Sequence, residues 1–267
     1  MKKKIGVRFK LISIASIILF FMIWELVTDV FEIVPSTMLP SPIRVVETLG
    51  EKWTDQSPDG STLPQHIIAS LQVSGMGFCL GMVFGIPLGV IMAWWKRADY
   101  ALSPVFDFVR TIPPIAWIPI MIVMLGIGLL GKASIVFLSA FIPCVINSYT
   151  GIKATKNVHI WVAQTFGASH LRILFKVALP TALPYIFTGL KVSMNSAWAS
   201  LVAAEMLGSA SGLGYMIQMG RLLSRADLIV AGMVVIGIIG TILSAILDLL
   251  ERIMVKGEVQ KSEAKRS

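Results

Sequence analysis

Long apolar runs, separated by short basic or proline-rich stretches, constrain this chain more than any other feature. Six runs stand out, at residues 11–30, 67–95, 112–128, 133–150, 182–207 and 228–249. A helix of about 17–25 apolar residues crosses a bilayer core, where no water is left to pair with the backbone and each N–H and C=O must be satisfied within the segment. Composition supports that reading. Of the 267 residues, 55% are hydrophobic and 14% charged, with a mean hydropathy of +0.79, against about 25% charged residues in soluble domains. The sequence predicts an all-α polytopic membrane protein with six transmembrane helices. No internal repeat or low-complexity stretch divides it, so residues 1–267 are read as a single transmembrane domain.

The net charge of +8 would suggest nucleic acid in a soluble protein. Here the basic residues lie between the apolar runs and record orientation instead, and no nucleic-acid partner is expected. Seventeen of the 23 lysines and arginines fall in the two ends and in the loops on one side. The other side holds five, Arg44, Lys52, Lys132, Arg221 and Arg225, and Lys191 lies inside the fifth run. By the positive-inside bias, both termini and the loop 151–180 face the cytoplasm of a bacterial inner membrane, and the segment 31–65 faces outward. The basic start, Lys2 to Lys10, followed by an apolar run also matches a secretory signal. No small-residue cleavage site follows it, which favours an uncleaved first span.

Catalytic and metal chemistry find little support. Cys79 and Cys144 lie in apolar runs without ligand-like neighbours, and His66, His159 and His170 are scattered. No GxxxxGK[ST] loop is present, so any ATP that drives this protein is hydrolysed by another subunit, and no cofactor is expected on this chain. An intramembrane enzyme would need a GxSxG, an HExxH or paired aspartates in adjacent spans. A secondary transporter would show internal repeats and intramembrane acids for ion coupling, whereas Glu205 is the one acid well inside a later run. A transport subunit powered from outside is the reading favoured over these two alternatives.

Several local patterns add expectations. Ser41 followed by Pro42, with Ile43, Val46 and Leu49 near helical spacing, predicts a capped surface helix. Gly75, Gly77, Gly81, Gly85 and Gly89 predict a close-packing face, directed either within the chain or at a second copy. Pro113, Pro114 and Pro119 break the third run, as a cavity wall or as a packing kink, and Lys96 to Arg110 before it reads as a cytoplasmic return in which Asp107 and Arg110 pair. Residues 129–132 read as a short external turn, and Ser209 to Gly220 as a tight re-entrant or surface loop, either a connector or a gate. Along the fifth run Lys191, Asn195, Trp198, Val202 and Glu205 recur at three- and four-residue steps. That stripe is the candidate substrate path, carried by Asn195 and Trp198. Lys191 either meets an anion or snorkels to the headgroups, and Glu205 either pairs with Arg221 or Arg225 at a gate or touches substrate.

The longest polar interruption, 151–180, reads as a short amphipathic helix, a turn at Gly167 allowing close backbone approach, and a proline-marked return at Pro180 and Pro184. The spacing of Ala163, Gly167, Val177 and Leu179-Pro180 resembles the signature loop of ATP-binding-cassette importer permeases, Glu-Ala-Ala, three residues, Gly, nine residues, Ile, one residue, Leu-Pro. Trp161 stands where the family has Glu, Val162 where it has the first Ala, and Val177 where it has Ile. Leu39-Pro40-Ser41-Pro42, the run from Arg110 through Pro113-Pro114 to Pro119, and Ala203-Ala204-Glu205 with Ser211-Gly212-Leu213-Gly214 resemble the nitrate, sulfonate and taurine branch.

That resemblance implies the type I importer fold, two copies of this chain, a cytosolic ATPase dimer carrying ATP and Mg, and an external substrate-binding protein. It implies import of a small polar solute of the nitrate, sulfonate, taurine or bicarbonate class, with thiamine precursors as an alternative. It also assigns Trp161, Val162, Ala163, Gln164, Gly167, Leu179 and Pro180 to ATPase coupling. With Trp161 replacing the family's Glu, packing is expected to dominate that contact, unless Trp161 is an anchor at headgroup level.

Overall fold

Proline, glycine and hydroxyl residues decide where the helices start and break. In the computed structural model, which describes residues 7–264, Ser41 accepts a hydrogen bond from the Arg44 amide at 3.3 Å and Pro42 opens the helix, as expected from that pair. Thr62 and Gln65 form a reciprocal capping box at the next helix, whose first residues are Leu63 and Pro64.

The elements are α1 (Val7–Glu25), extended by a π-turn over Leu26–Val30, α2 (Pro42–Lys52), α3 (Leu63–Trp94), α4 (Lys96–Thr111), a 3-10 turn over Pro114–Trp117, α5 (Ile118–Leu125) and α6 (Leu129–Lys153). There follow α7 (Asn157–Thr165), α8 (His170–Ile173), a π-turn over Leu174–Ala178, α9 (Leu179–Leu207), α10 (Leu213–Leu222) and α11 (Ala226–Ala264). Among the described residues, four helical stretches are long and apolar enough to cross a membrane: Leu63–Trp94, Leu129–Lys153, His170–Leu207 and Ala226–Val255. The bent pair Lys96–Thr111 and Pro114–Leu125, angled by 88°, is a fifth if counted as one broken span. α1 precedes them, with Ile17, Ile18, Phe20 and Phe21 all exposed as a lipid-facing helix requires.

The centre is α3, α6 and α9. Small residues bring these helices together, since apolar side chains gain little by leaving lipid for one another. A Cβ on Gly77 would lie 2.6 Å from Val136 Cβ, on Gly81 2.6 Å from Ala140 Cβ, and on Gly85 2.8 Å from Cys144 Cβ. The stripe of α3 therefore packs within the chain, against α6, and Gly75 stands apart from it with nothing within 4 Å. On the other flank of α6, Gly189 of α9 comes against Asn147, and hydroxyls stitch the pair: Ser139 donates to Ser200 at 2.7 Å, and Ser193 to the Ala140 carbonyl at 2.8 Å. Cys144 lies 3.1 Å from the Ser193 hydroxyl, buried, and Cys79 is exposed, so neither forms a disulfide.

Lys96 to Arg110 is a full helix, α4, that exposes Val105 and Phe108, and Asp107 and Arg110 pair at 2.8 Å as expected. Three expectations are corrected. Residues 129–132 are the first turn of α6 rather than a loop. The helix that carries the fifth apolar run begins at His170 and runs unbroken to Leu207, so Pro180 and Pro184 do not mark a return after a loop. The π-turn just before Leu179-Pro180 is the physical reason, because its wider ring accommodates a residue without an N–H inside a continuous helix. Ser209 to Gly220 is a bend at 209–212 followed by α10, in which Leu213, Gly214, Met216 and Ile217 are buried.

Candidate functional site: an exposed helical knob and a buried polar clasp

α7 and the residues after it project from the end of the bundle where α6 stops and α9 starts. Trp161 is 61% exposed, Val162 51% and Phe166 86%, and Val158 and Gln164 are also exposed. Ala163 is half-buried. Gly167 stops the helix in the left-handed region at φ +72, its amide donating to the Gln164 carbonyl at 2.8 Å and the next amide, Ala168, to Ala163 at 3.0 Å. That is the Schellman arrangement, which satisfies carbonyls left open at a helix end. A Cβ on Gly167 would meet nothing within 4 Å, so close backbone approach is not what places glycine here; the positive φ is. Gly167→Ala should therefore cost about 1 kcal/mol locally and lower the order of the 165–169 turn, read as faster amide exchange there and unchanged exchange in α3 and α6.

The segment is held from below by His170, whose ring sits 4.7 Å from that of Trp94 at the end of α3. Leu179 and Pro180 do not join the exposed knob. They are half-buried in the body of the continuous helix, where they support it. Around the knob Lys153, Lys156, Arg172 and Lys176 are exposed, leaving a basic rim about an apolar tip.

The stripe of α9 is mostly turned inward. Lys191 forms ion pairs with Asp248 at 2.5 Å and Glu251 at 2.6 Å, both on α11. Trp198 is 8% exposed and donates from Nε1 to the Ile236 carbonyl at 3.1 Å, with Gly240 making room for its ring. Both residues fasten α9 to α11. Asn195 is exposed, and Ser244 donates to its Oδ1 at 3.4 Å.

Glu205 is 1% exposed and pairs with neither Arg221 nor Arg225, contrary to expectation; Arg225 instead pairs with Asp227. Ser70 Oγ lies 2.8 and 2.9 Å from its two oxygens, and the Gly214 amide donates to Oε2 at 2.9 Å. The Leu213 amide donates to Ser70 Oγ at 2.8 Å and the Gly212 amide to His66 Nδ1 at 3.0 Å. Because Nδ1 accepts, the hydrogen of His66 is on Nε2, which lies 3.2 Å from Asp59 Oδ2. Asp59 Oδ1 is 2.5 Å from Lys52 Nζ, and Lys52 also donates to the Ser61 carbonyl at 2.7 Å. A buried polar clasp thus ties α2, the 53–62 loop, α3, α9 and the start of α10 together at the end opposite α7. Three consecutive amides, 212 to 214, leave room for no side chain at Gly212, whose φ is +123 and whose Cβ would run into the Glu205 carboxylate.

Ser70, His66, Asp59 and Lys52 were not singled out from the sequence. Their signal is the spacing of His66 and Ser70, one helical turn apart in an apolar run, where a polar residue needs a partner. Burial pushes the Asp59 carboxyl up, but hydrogen bonds from His66 and Lys52 outweigh it and hold the group below its ordinary value of 3.8. A depressed folded value contributes stability above pH 3.8 that is lost as pH falls through the folded value. Asp59→Asn should remove that acid-side dependence and lower the melting temperature at neutral pH, because Lys52 loses its buried partner. Melting curves of the two proteins from pH 3 to 7 check this.

Among the described residues no group of three or more His, Cys, Asp or Glu could hold a metal ion. The family profile described as "Binding-protein-dependent transport system inner membrane component" matches residues 85–258. The chain is 34% identical over 254 residues to the taurine transport system permease protein TauC of Escherichia coli (strain K12), covering 93% of this chain and 91% of that protein. It is 32% identical over 234 residues to the putative aliphatic sulfonates transport permease protein SsuC of Bacillus subtilis (strain 168), covering 88% and 83%. With the nitrate import permease protein NrtB of Synechocystis sp. (strain ATCC 27184 / PCC 6803 / Kazusa) the identity is 33% over 224 residues, covering 82% of each. In fold, it superposes on a chain of the MetNI methionine ABC transporter in an inward-facing conformation with a TM-score of 0.65 at 21% identity, covering 72% of this chain and 95% of that one. With its helices arranged as in that importer, the chain belongs to the binding-protein-dependent transport system inner membrane components, and is a multi-pass transport permease of the ATP-binding-cassette importers rather than an enzyme.

Proposed function

We propose that this chain is the permease of an importer for a small polar solute of the nitrate, sulfonate, taurine or bicarbonate class, driven by a cytosolic ATPase that grips the α7 knob. The observation that carries the coupling half is the apolar tip of Trp161, Val162 and Phe166, exposed on a short helix whose end is fixed by Gly167. An apolar tip ringed by lysine and arginine suits a groove on a soluble partner. Two copies of the chain, two ATPases and an external binding protein make up the proposed assembly, with ATP and Mg on the ATPase. Both termini and α7 lie on the cytoplasmic side, and the clasp about Glu205 lies outside.

Of the four residues of the proposed path, Asn195 keeps an exposed polar side chain and carries the contact with solute. Lys191, Trp198 and Glu205 act on the path by holding α9 to α11, α3 and α10. Transport assays in proteoliposomes with the cognate ATPase and binding protein test the reading, using taurine, an alkanesulfonate and nitrate. Uptake of one of them, with hydrolysis stimulated by the loaded binding protein, is expected. Absence of uptake for all three from a coupled complex would overturn the solute class, and unaltered uptake by Asn195→Leu would overturn its place in the path.

A further inference from the structure

α1 stands off from the bundle, and the space it leaves has a definite chemical shape. Trp24 donates from Nε1 to the Pro40 carbonyl at 3.1 Å, bridging α1 to the segment before α2. On one side of this bridge an apolar cavity of about 520 Å³ runs between Trp24, Phe21, Val46 and Val234. On the other, an apolar cavity of about 510 Å³ runs between Trp24, Ile23, Leu39 and Met233. Beside the bridge, Thr28 on one segment, Pro40 and Ser41 on a second and Ala226 on a third border a polar cavity of about 320 Å³. That cavity presents the cations Arg44 and Arg225, the carboxylates Asp29 and Asp227, and the hydroxyls of Ser36 and Thr37.

We propose that this crevice binds one zwitterionic diacyl phospholipid, a phosphatidylethanolamine, with its headgroup in the polar cavity and one acyl chain in each groove. Two apolar grooves of matched volume meeting beside one polar cavity fit a two-chained amphiphile, and each volume lies within the range of about 300–1,000 Å³ usual for small-molecule sites. The charges select the headgroup. Arg225 is engaged by Asp227, whereas Arg44 gives one N–H to Glu47 at 3.2 Å and keeps the rest of its guanidinium for a phosphate. Asp29 forms no ion pair among the described residues and lies exposed in the cavity wall, where an ammonium would meet it. An anionic headgroup such as phosphatidylglycerol offers that carboxylate no cation. The bound lipid would fill the gap between α1 and α11 and fix the angle at which α1 stands.

The test is native mass spectrometry of the full-length permease, purified in mild detergent and titrated with phosphatidylethanolamine or phosphatidylglycerol. One bound phosphatidylethanolamine per chain is expected, preferred over phosphatidylglycerol by about tenfold, the worth of one charge-assisted hydrogen bond. Asp29→Asn should erase the preference, and Met233→Trp, which fills one groove, should remove the bound lipid while circular dichroism stays unchanged. Equal affinity for both lipids, or lipid retention unaffected by Met233→Trp, would overturn the proposal. So would efficient disulfide cross-linking between Ile23→Cys chains with no lipid retained, since a second copy would then cover the crevice.

Discussion

Gly81→Leu in α3 should prevent the permease from reaching its native packing. The Cβ of any residue there would lie 2.6 Å from Ala140 Cβ and 3.0 Å from the Phe141 amide nitrogen, which belongs to the α6 backbone and cannot rotate away. The helices would have to separate along the stretch where Gly77, Gly85 and Gly89 also touch α6. Overpacking one residue costs about 1–3 kcal/mol in soluble cores, and here the displacement spreads along the whole seam, so the upper end of that range or more is expected. The measured signs would be aggregation on size exclusion and a melting temperature lowered by several degrees or lost altogether. Gly75→Leu is the control: it meets nothing within 4 Å and should insert and melt like the wild type. Equal behaviour of the two variants would show that the α3–α6 seam does not set stability.

The double variant Trp161→Ala, Phe166→Ala should abolish coupling while leaving insertion intact. Both side chains point away from the bundle, at 61% and 86% exposure, so their loss removes little from the fold. If they enter a groove on the ATPase, each forfeits about 1.5–3 kcal/mol of burial, and together they weaken assembly by roughly a hundredfold or more. The expected result is a permease that folds in the membrane, fails to co-purify with its ATPase, and shows no hydrolysis stimulated by the loaded binding protein. Salt should matter less than it does for an acidic contact, because Trp161 stands where the family's pattern has a glutamate. Undiminished co-purification and transport would remove the knob from the coupling mechanism.

The two signals that carried the fold differ in kind. Apolar runs identify spans because lipid imposes one rule on every backbone, and this rule needs no neighbours to be known. Ser41-Pro42 was legible for the same reason, since a cap acts within one turn, whereas the capping box at Thr62 and Gln65 emerged only in the structure. Proline was misread at Pro180 and Pro184, because whether it ends a helix depends on how the preceding turn is wound, and a π-turn absorbs it. The glycine stripe was legible as a packing face, but its direction was not, since a second copy and a neighbouring span present the same surface to it.

The site divides along the same line. The knob's short helix and its glycine turn could be read in advance, because an amphipathic helix closed by glycine in a polar interruption is local information, whereas its coupling residues were assigned through the family resemblance, and Leu179 and Pro180 among them lie in the body of the next helix. The stripe of α9 could be placed on one face, yet periodicity says nothing of what stands opposite that face. Only the tertiary structure put Asp248 and Glu251 against Lys191, the Ile236 carbonyl against Trp198, and Ser70 with the Gly214 amide against Glu205. Sequence alone determined that this chain is a helical membrane protein and which turn it exposes, since both follow from the solvent and from hydrogen bonds within one turn. Which charges are satisfied, and so which are free to meet a solute, depended on contacts such as that between Ser70 and Glu205, 135 residues apart in the chain, and these exist only once the helices have packed.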